Sequence, residues 1–265
     1  MEFQDILIPA AILAALGALF GALLAVASRV FAVKVDERVP MVREALPGAN
    51  CGGCGYSGCD ALAAAIVEGK ASPTACSVAG DAGAEKIAAI MGVTVEKQKP
   101  MRAFVLCSGN AELAKNKYLY DGVADCHAAA RLGGGAKQCA AGCLGLGSCL
   151  SACPYGAISI QNGVALVDTA KCGGCGACTY ACPKGLIRLI PRDATYAVAC
   201  ASHAKGVALT SACRVGCIGC MLCAKACEEG AITVTDSLAT IDQSKCIACG
   251  KCVEKCPRKI ITLLK

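Results

Sequence analysis

The sequence predicts an α+β chain with one N-terminal transmembrane helix, a small four-cysteine domain, and two tandem cysteine-bound modules of short strands and helices. Three observations carry this. There are 24 cysteines in 265 residues, most of them in tight runs. A long apolar stretch near the N terminus carries no charge. A cysteine pattern in the C-terminal half recurs at one fixed offset, and internal repeats have to be found before a fold is assigned.

The apolar stretch comes first in the chain. Residues 6–28 hold no charged side chain and would span about 34 Å as a helix, enough for a bilayer core. A signal peptide is the competing reading, but Glu2 and Asp5 stand where its positive region would be. Arg29, Lys34, Arg38 and Arg43 follow the helix, so the positive-inside rule puts the rest of the chain in the cytoplasm. Gly17 and Gly21, with Ala14, Ala18, Ala22 and Ala25, give a small-residue face suited to a neighbouring membrane helix. With no ionisable group inside it, the helix reads as an anchor rather than an ion path.

Residues 34–46 read as an amphipathic link. They lead into Cys51, Cys54 and Cys59, separated by glycines that permit sharp turns, with Cys76 further on. Residues 60–68 read as a helix ended by Gly69, and residues 85–91 as a second one ended by Gly92. A chain reversal would bring Cys76 back as the fourth ligand of an Fe–S site. Zinc is the alternative, although it more often takes two separated pairs. Residues 97–100 form a polar boundary, and residues 103–106 a short strand running into Cys107. The glycine triplet 133–135 follows no clear strand and makes no dinucleotide loop. His127 and His203 are isolated and read as packing or surface residues.

Cys172, Cys175, Cys178 and Cys182, followed by Pro183, form the C-x2-C-x2-C-x3-C-P run that binds [4Fe–4S] clusters, in which the fourth cysteine ligates the cluster of a paired run. Cys139, Cys143, Cys149 and Cys153, followed by Pro154, precede it. Adding 74 to these eight numbers gives Cys213, Cys217, Cys223, Cys227, Cys246, Cys249, Cys252 and Cys256, and it also carries Cys126 to Cys200. Each unit is therefore a ferredoxin-like 2[4Fe–4S] module. The first has Leu146 where the second has Cys220, and Cys139 is the nearest replacement in sequence. Crossover pairing then predicts four sets: Cys139, Cys143, Cys149 and Cys182; Cys172, Cys175, Cys178 and Cys153; Cys217, Cys220, Cys223 and Cys256; Cys246, Cys249, Cys252 and Cys227. With Cys51, Cys54, Cys59 and Cys76 this makes five [4Fe–4S] clusters. Cys107, Cys126, Cys200 and Cys213 remain, either as buried free thiols or as a sixth cluster. Glu228 replaces the proline expected after Cys227.

Residues 157–160, 164–167, 231–234 and 260–264 read as the small strands of these modules. Aromatic residues are 4% of the chain and there is no Trp, so the cores are thin and need a staple. The spacing favours cluster ligation over disulfides, which require an oxidising compartment. Net charge is +6, which suits an acidic redox partner or a solvated surface; no basic run with interleaved aromatics points to nucleic acid. Nothing in the chain forms a nucleophile–base set. The boundaries predicted are residues 1–33 (anchor), 34–92 (four-cysteine domain), 93–135 (connection), 136–191 (first module) and 192–265 (second module).

The segment 46–59, which reads LPGANCGGCGYSGC, preceded by a membrane helix and followed by ferredoxin motifs, resembles the B subunit of Rnf complexes in its long, multi-cluster form. That resemblance implies a membrane-bound, ion-translocating ferredoxin:NAD oxidoreductase, single-pass in the cytoplasmic (inner) membrane, with the Fe–S domains in the cytoplasm. It implies soluble ferredoxin as electron donor, and as partners the A, D and E subunits in the membrane, the flavin-carrying G subunit and the NAD-binding C subunit. A membrane-anchored polyferredoxin of another redox enzyme, linked to CO dehydrogenase or hydrogenase, is the alternative function.

Overall fold

A computed structural model describes residues 3–30, 36–95 and 99–264. Glu2, Lys34 and residues 97–98 of the expected polar boundary lie outside the described residues. Helix α1 (Phe3–Val30) is longer than the charge-free stretch, and none of residues 12–29 is buried in the chain. Beta carbons added at Gly17 and Gly21 would meet nothing within 4 Å, so this face of the helix is bare.

The described part of the amphipathic link, residues 36–46, packs into the four-cysteine domain. Helix α2 (Arg38–Ala45) buries Val42 against Leu62 and Ile66 of α3 (Cys59–Val67) and Ile87 of α4 (Gly80–Met91), since its apolar residues have no other core to enter. Asn50 accepts the Cys59 amide at its side-chain oxygen (2.8 Å), and Arg43 pairs with Asp60 at 2.9 Å, tying the cysteine loop to α2 and α3. α4 starts earlier than its sequence suggested and stops at Gly92, whose left-handed conformation (φ +68°) ends the helix as a glycine readily does.

The remainder consists of two similar units. The first holds β1 (Met101–Val105), α5 (Cys126–Arg131), α6 (Ser148–Ser151), β2 (Ile158–Gln161), β3 (Val164–Val167), α7 (Ala177–Tyr180) and β4 (Ile187–Pro191). The second holds β5 (Tyr196–Val198), α8 (Gly206–Ala212), α9 (Leu222–Lys225), β6 (Ile232–Thr235), β7 (Leu238–Ile241), α10 (Lys251–Lys255) and β8 (Ile261–Leu263). Each has two antiparallel two-stranded sheets: β2 with β3 and β1 with β4, then β6 with β7 and β5 with β8. Two-stranded sheets are marginal by themselves. Here their inner faces share a core with cysteines: Ala103, Ile158, Ala165 and Ile187 with Cys149, Cys172 and Cys178, and Val198, Ile232, Ala239 and Ile261 with Cys217, Cys223 and Cys252.

Candidate metal centres

Five cavities in the two units each have four cysteines in their walls. Two follow crossover pairing in the second unit: Cys217, Cys220, Cys223 and Cys256 line one, and Cys227, Cys246, Cys249 and Cys252 the other. In the first unit Cys153 joins Cys172, Cys175 and Cys178. Each short helix α6, α7, α9 and α10 carries one buried cysteine, Cys149, Cys178, Cys223 and Cys252, so the helix turns the thiol into the core beside a two-stranded sheet. Glu228, in place of proline, pairs with Lys251 of α10 at 2.6 Å and ties the Cys227 turn down.

The fourth cavity corrects the expectation for Cys139. Its cysteines are Cys126, Cys143, Cys149 and Cys182. Asp125 caps α5 by accepting the Ala128 amide (2.7 Å), and Ser148 at the start of α6 accepts the Cys126 amide (2.7 Å) while donating to Asp125 (2.7 Å). This latch holds Cys126 in the cavity wall with Cys143, Cys149 and Cys182. The sequence did hold a signal: Ser148 is polar where its repeat partner is Leu222, and Asp125 before Cys126 is a helix-capping residue.

Cys139 instead lines the fifth cavity, with Cys107, Cys200 and Cys213. The leftover set expected from sequence included Cys126, and Cys139 takes its place.

In the small domain Cys54, Cys59 and Cys76 pack beside α3. Cys51 lies toward the first module, close to Cys175. Ser77 donates to the Gly174 carbonyl at 3.0 Å across this contact. The hydroxyl of Tyr155 is buried there with no hydrogen-bond partner, among Cys51, Cys175, Cys76 and Cys59. Burial, then these thiols, push the phenol up to about 12. A cluster's sulfur would accept the hydrogen bond that this buried donor lacks.

The donor chemistry fits cubane clusters. The cavity walls are chiefly apolar residues and thiols, with Glu228, Glu229 and Lys251 in one, Arg258 in another and Lys184 in a third. Backbone amides point at several sulfurs: Ala103 at Cys172 (3.4 Å), Ala157 at Cys153 (3.3 Å) and Leu186 at Cys182 (3.4 Å). Such bonds stabilise charge on ligating sulfur and help set a cluster's potential. Burial pushes Cys178 up to about 12, and Cys149 and Cys223 up to about 11, with neighbouring cysteines adding to it. A ligand that replaces those protons relieves the cost of ionising thiols in an apolar wall. Among the described residues, no three His, Cys, Asp or Glu side chains gather as they would around a single ion. The imidazoles of His127 and His203 bond to the carbonyls of Ala181 (3.1 Å) and Asp236 (3.0 Å), as packing residues do.

Family models agree with this distribution. One described as "Putative Fe-S cluster" matches residues 46–78, a 4Fe-4S binding domain matches 164–187, and a 4Fe-4S dicluster domain matches 216–260. The chain is thus an iron–sulfur protein of mixed helix and strand, with ferredoxin-type 4Fe-4S domains and a helix long and apolar enough to cross a membrane.

Its relatives narrow the class. The chain is 45% identical to the B subunit of the ion-translocating oxidoreductase complex of Methanosarcina acetivorans, over 96% of both chains. It is 46% identical to the B subunit of the Na(+)-translocating ferredoxin:NAD(+) oxidoreductase complex of Acetobacterium woodii, over 97% of this chain and 78% of that one. It is 41% identical to the B subunit of the proton-translocating ferredoxin:NAD(+) oxidoreductase complex of Clostridium ljungdahlii, over 91% and 87%. The chain belongs to this family, the B subunits of the Rnf ion-translocating oxidoreductase complexes.

Proposed function

We propose that this chain is the membrane-anchored electron-transfer subunit of an ion-translocating ferredoxin:NAD oxidoreductase. It takes electrons from reduced soluble ferredoxin and relays them toward the subunits that reduce NAD and move sodium or protons. The observation that carries this is the series of crossed-over four-thiol cavities within one chain. [4Fe–4S] clusters, when bound, supply one-electron carriers.

The chain's own residues do the rest. The five ligand sets are Cys51, Cys54, Cys59 and Cys76; Cys126, Cys143, Cys149 and Cys182; Cys153, Cys172, Cys175 and Cys178; Cys217, Cys220, Cys223 and Cys256; and Cys227, Cys246, Cys249 and Cys252. Backbone amides stabilise negative charge on the sulfurs, and apolar walls such as Ile187 and Ile261 keep water away. Tyr155, whose hydroxyl is buried without a partner where the small domain meets the first module, would donate to a sulfur of a cluster held there.

The anchor takes residues 1–33 and the small domain 34–92; the first module takes in β1 and α5 from the segment 93–135 together with residues 136–191, and the second module takes 192–265. Arg29, Lys34, Arg38 and Arg43 after the helix put the cysteine domains in the cytoplasm. Since residues 6–28 carry no ionisable group, the ion path belongs to the A, D and E subunits in the membrane, and flavin and NAD to the G and C subunits.

The test uses the assembled complex in vesicles. Cys220→Ser should remove about 4 iron and 4 sulfide per chain and slow ferredoxin-dependent NAD reduction. Unchanged iron content and rate would overturn the reading.

A further inference from the structure

The fifth four-thiol cavity, lined by Cys107, Cys139, Cys200 and Cys213, lies outside the ferredoxin motifs and between the two modules. We propose that these four cysteines bind a sixth [4Fe–4S] cluster, which joins the modules. The inference rests on the reading that the other cavities take such clusters, and goes beyond it in assigning a site that belongs to neither motif.

Three observations carry it. The first is the donor set and its wall. Cys200 and Cys213 are buried, Cys107 and Cys139 half-buried, and apolar residues such as Leu106, Leu209, Val215 and Ile260 complete the cavity. Cys107 and Cys213 turn their sulfurs toward the same glycine: a β-carbon at Gly109 would lie 3.3 Å from Sγ of Cys213 and 3.7 Å from Sγ of Cys107.

The second is the amide pattern. Sγ of Cys107 accepts the amide of Cys143 (3.5 Å), and Sγ of Cys200 accepts the amides of Ser202 (3.5 Å) and Cys217 (3.4 Å). Sulfurs in the assigned sites receive amides in the same way. Moreover, the donors Cys143 and Cys217 are themselves ligands of the nearest site in each module, and are repeat partners of one another. The cavity is therefore one hydrogen bond from a cluster site on either side.

The third is strand register. Val105 pairs with Ile187 in the first unit and Val198 with Ile261 in the second, and Ile261 is the repeat partner of Ile187. The Leu106 amide donates to the Leu186 carbonyl and the Ala199 amide to the Ile260 carbonyl, another repeat pair. Counting on two residues from Val105 and Val198 makes Cys107 the structural counterpart of Cys200, just as Cys139 is the counterpart of Cys213. Each module thus contributes the same two thiols, one following its strand and one preceding its motif. Free thiols kept only as small apolar residues would not need to converge on one cavity in corresponding pairs.

Native mass spectrometry of the full chain, loaded anaerobically with iron and sulfide in detergent, counts clusters per molecule. The maximum loading should be six clusters, and five for the double variant Cys139→Ser/Cys213→Ser. A wild-type maximum of five would overturn the sixth site while leaving the other five intact, and a chain that takes no iron would instead sink the underlying reading. A maximum of six in both proteins would also overturn it, since the sixth cluster would then lie elsewhere. Should the double variant lose all its clusters through misfolding, the wild-type maximum still decides, because the assigned sites leave only these four cysteines.

Discussion

Gly53 faces the carbonyl of Cys175 so closely that a β-carbon at residue 53 would stand 1.8 Å from that oxygen. The small domain and the first module therefore meet backbone to backbone, at the point where two ligand sets are adjacent. Gly53→Ala must push the two apart. Overpacking of this kind typically costs about 1–3 kcal/mol, felt here as weaker docking. Cluster content should stay at the wild-type value while electron passage from the modules to Cys51–Cys76 slows, as followed by stopped-flow bleaching. Equal rates would mean that this contact is not on the route.

Cys126 is expected to be the ligand that compensates for Leu146. Cys126→Ser should lower iron by about 4 per chain. Adding Leu146→Cys should restore it, because the second module holds its own ligand, Cys220, at that position. Failure of the rescue would show that Cys126 does more than replace a missing thiol.

Lys137 is buried, and its ammonium donates to the carbonyls of Gly109 and Gly163, with Cys143 close by. A fixed cation favours the reduced, more negative state of a neighbouring cluster. Lys137→Met should therefore make one midpoint potential more negative in an EPR redox titration, and cost about 1–3 kcal/mol through carbonyls left without a donor. An unmoved set of potentials would place the cation's influence elsewhere.

The pH dependence of the metal-free chain has a definite sign. Cys149, Cys178 and Cys223 in the folded chain are pushed up to about 11, 12 and 11 from an ordinary value of 9.0, chiefly by burial. Their protonated form favours the fold. That contribution is whole below pH 9, where unfolded thiols are also protonated, and is lost as pH rises through the folded values. Denaturation midpoints of the chelated chain should fall between pH 9 and 12. A flat profile would mean that the thiols are as well solvated as in the unfolded chain.

Much of this is legible in the sequence alone. The crossover of Cys153, Cys227 and Cys256 follows from motif spacing alone, because spacing fixes which thiols a short helix and its turn can aim inward. The short strands at 157–160, 164–167, 231–234 and 260–264 followed from apolar runs between turns, whereas β7 (Leu238–Ile241), the repeat partner of β3, did not. Cys126 did not, because its place depends on the latch of Asp125 to Ser148, a contact between separated segments. Offset matching also misled on one pair. It aligned Cys126 with Cys200, whereas the hydrogen-bonded register aligns Cys107 with Cys200, since the connection from β1 to the first motif is longer than that from β5 to the second. Residues 34–46 were legible as an amphipathic segment opening the four-cysteine domain, but the burial of Val42 was not, because α3 and α4 supply its core from elsewhere in the chain.

At the joint between the modules, corresponding residues meet crosswise: Cys107 lies beside Gly109 with Cys213, and its counterpart Cys200 lies near Cys139, the counterpart of Cys213. This is the arrangement of a two-fold homodimer interface, in which a self-complementary patch is used up on both partners. Such contacts close, whereas head-to-tail contacts can go on adding units. Duplication produced a pair here, not the start of a filament. A further unit would find no vacant copy of this patch and would have to attach by a different surface, while a chain cut back to one unit would expose half a binding site with nothing to complete it.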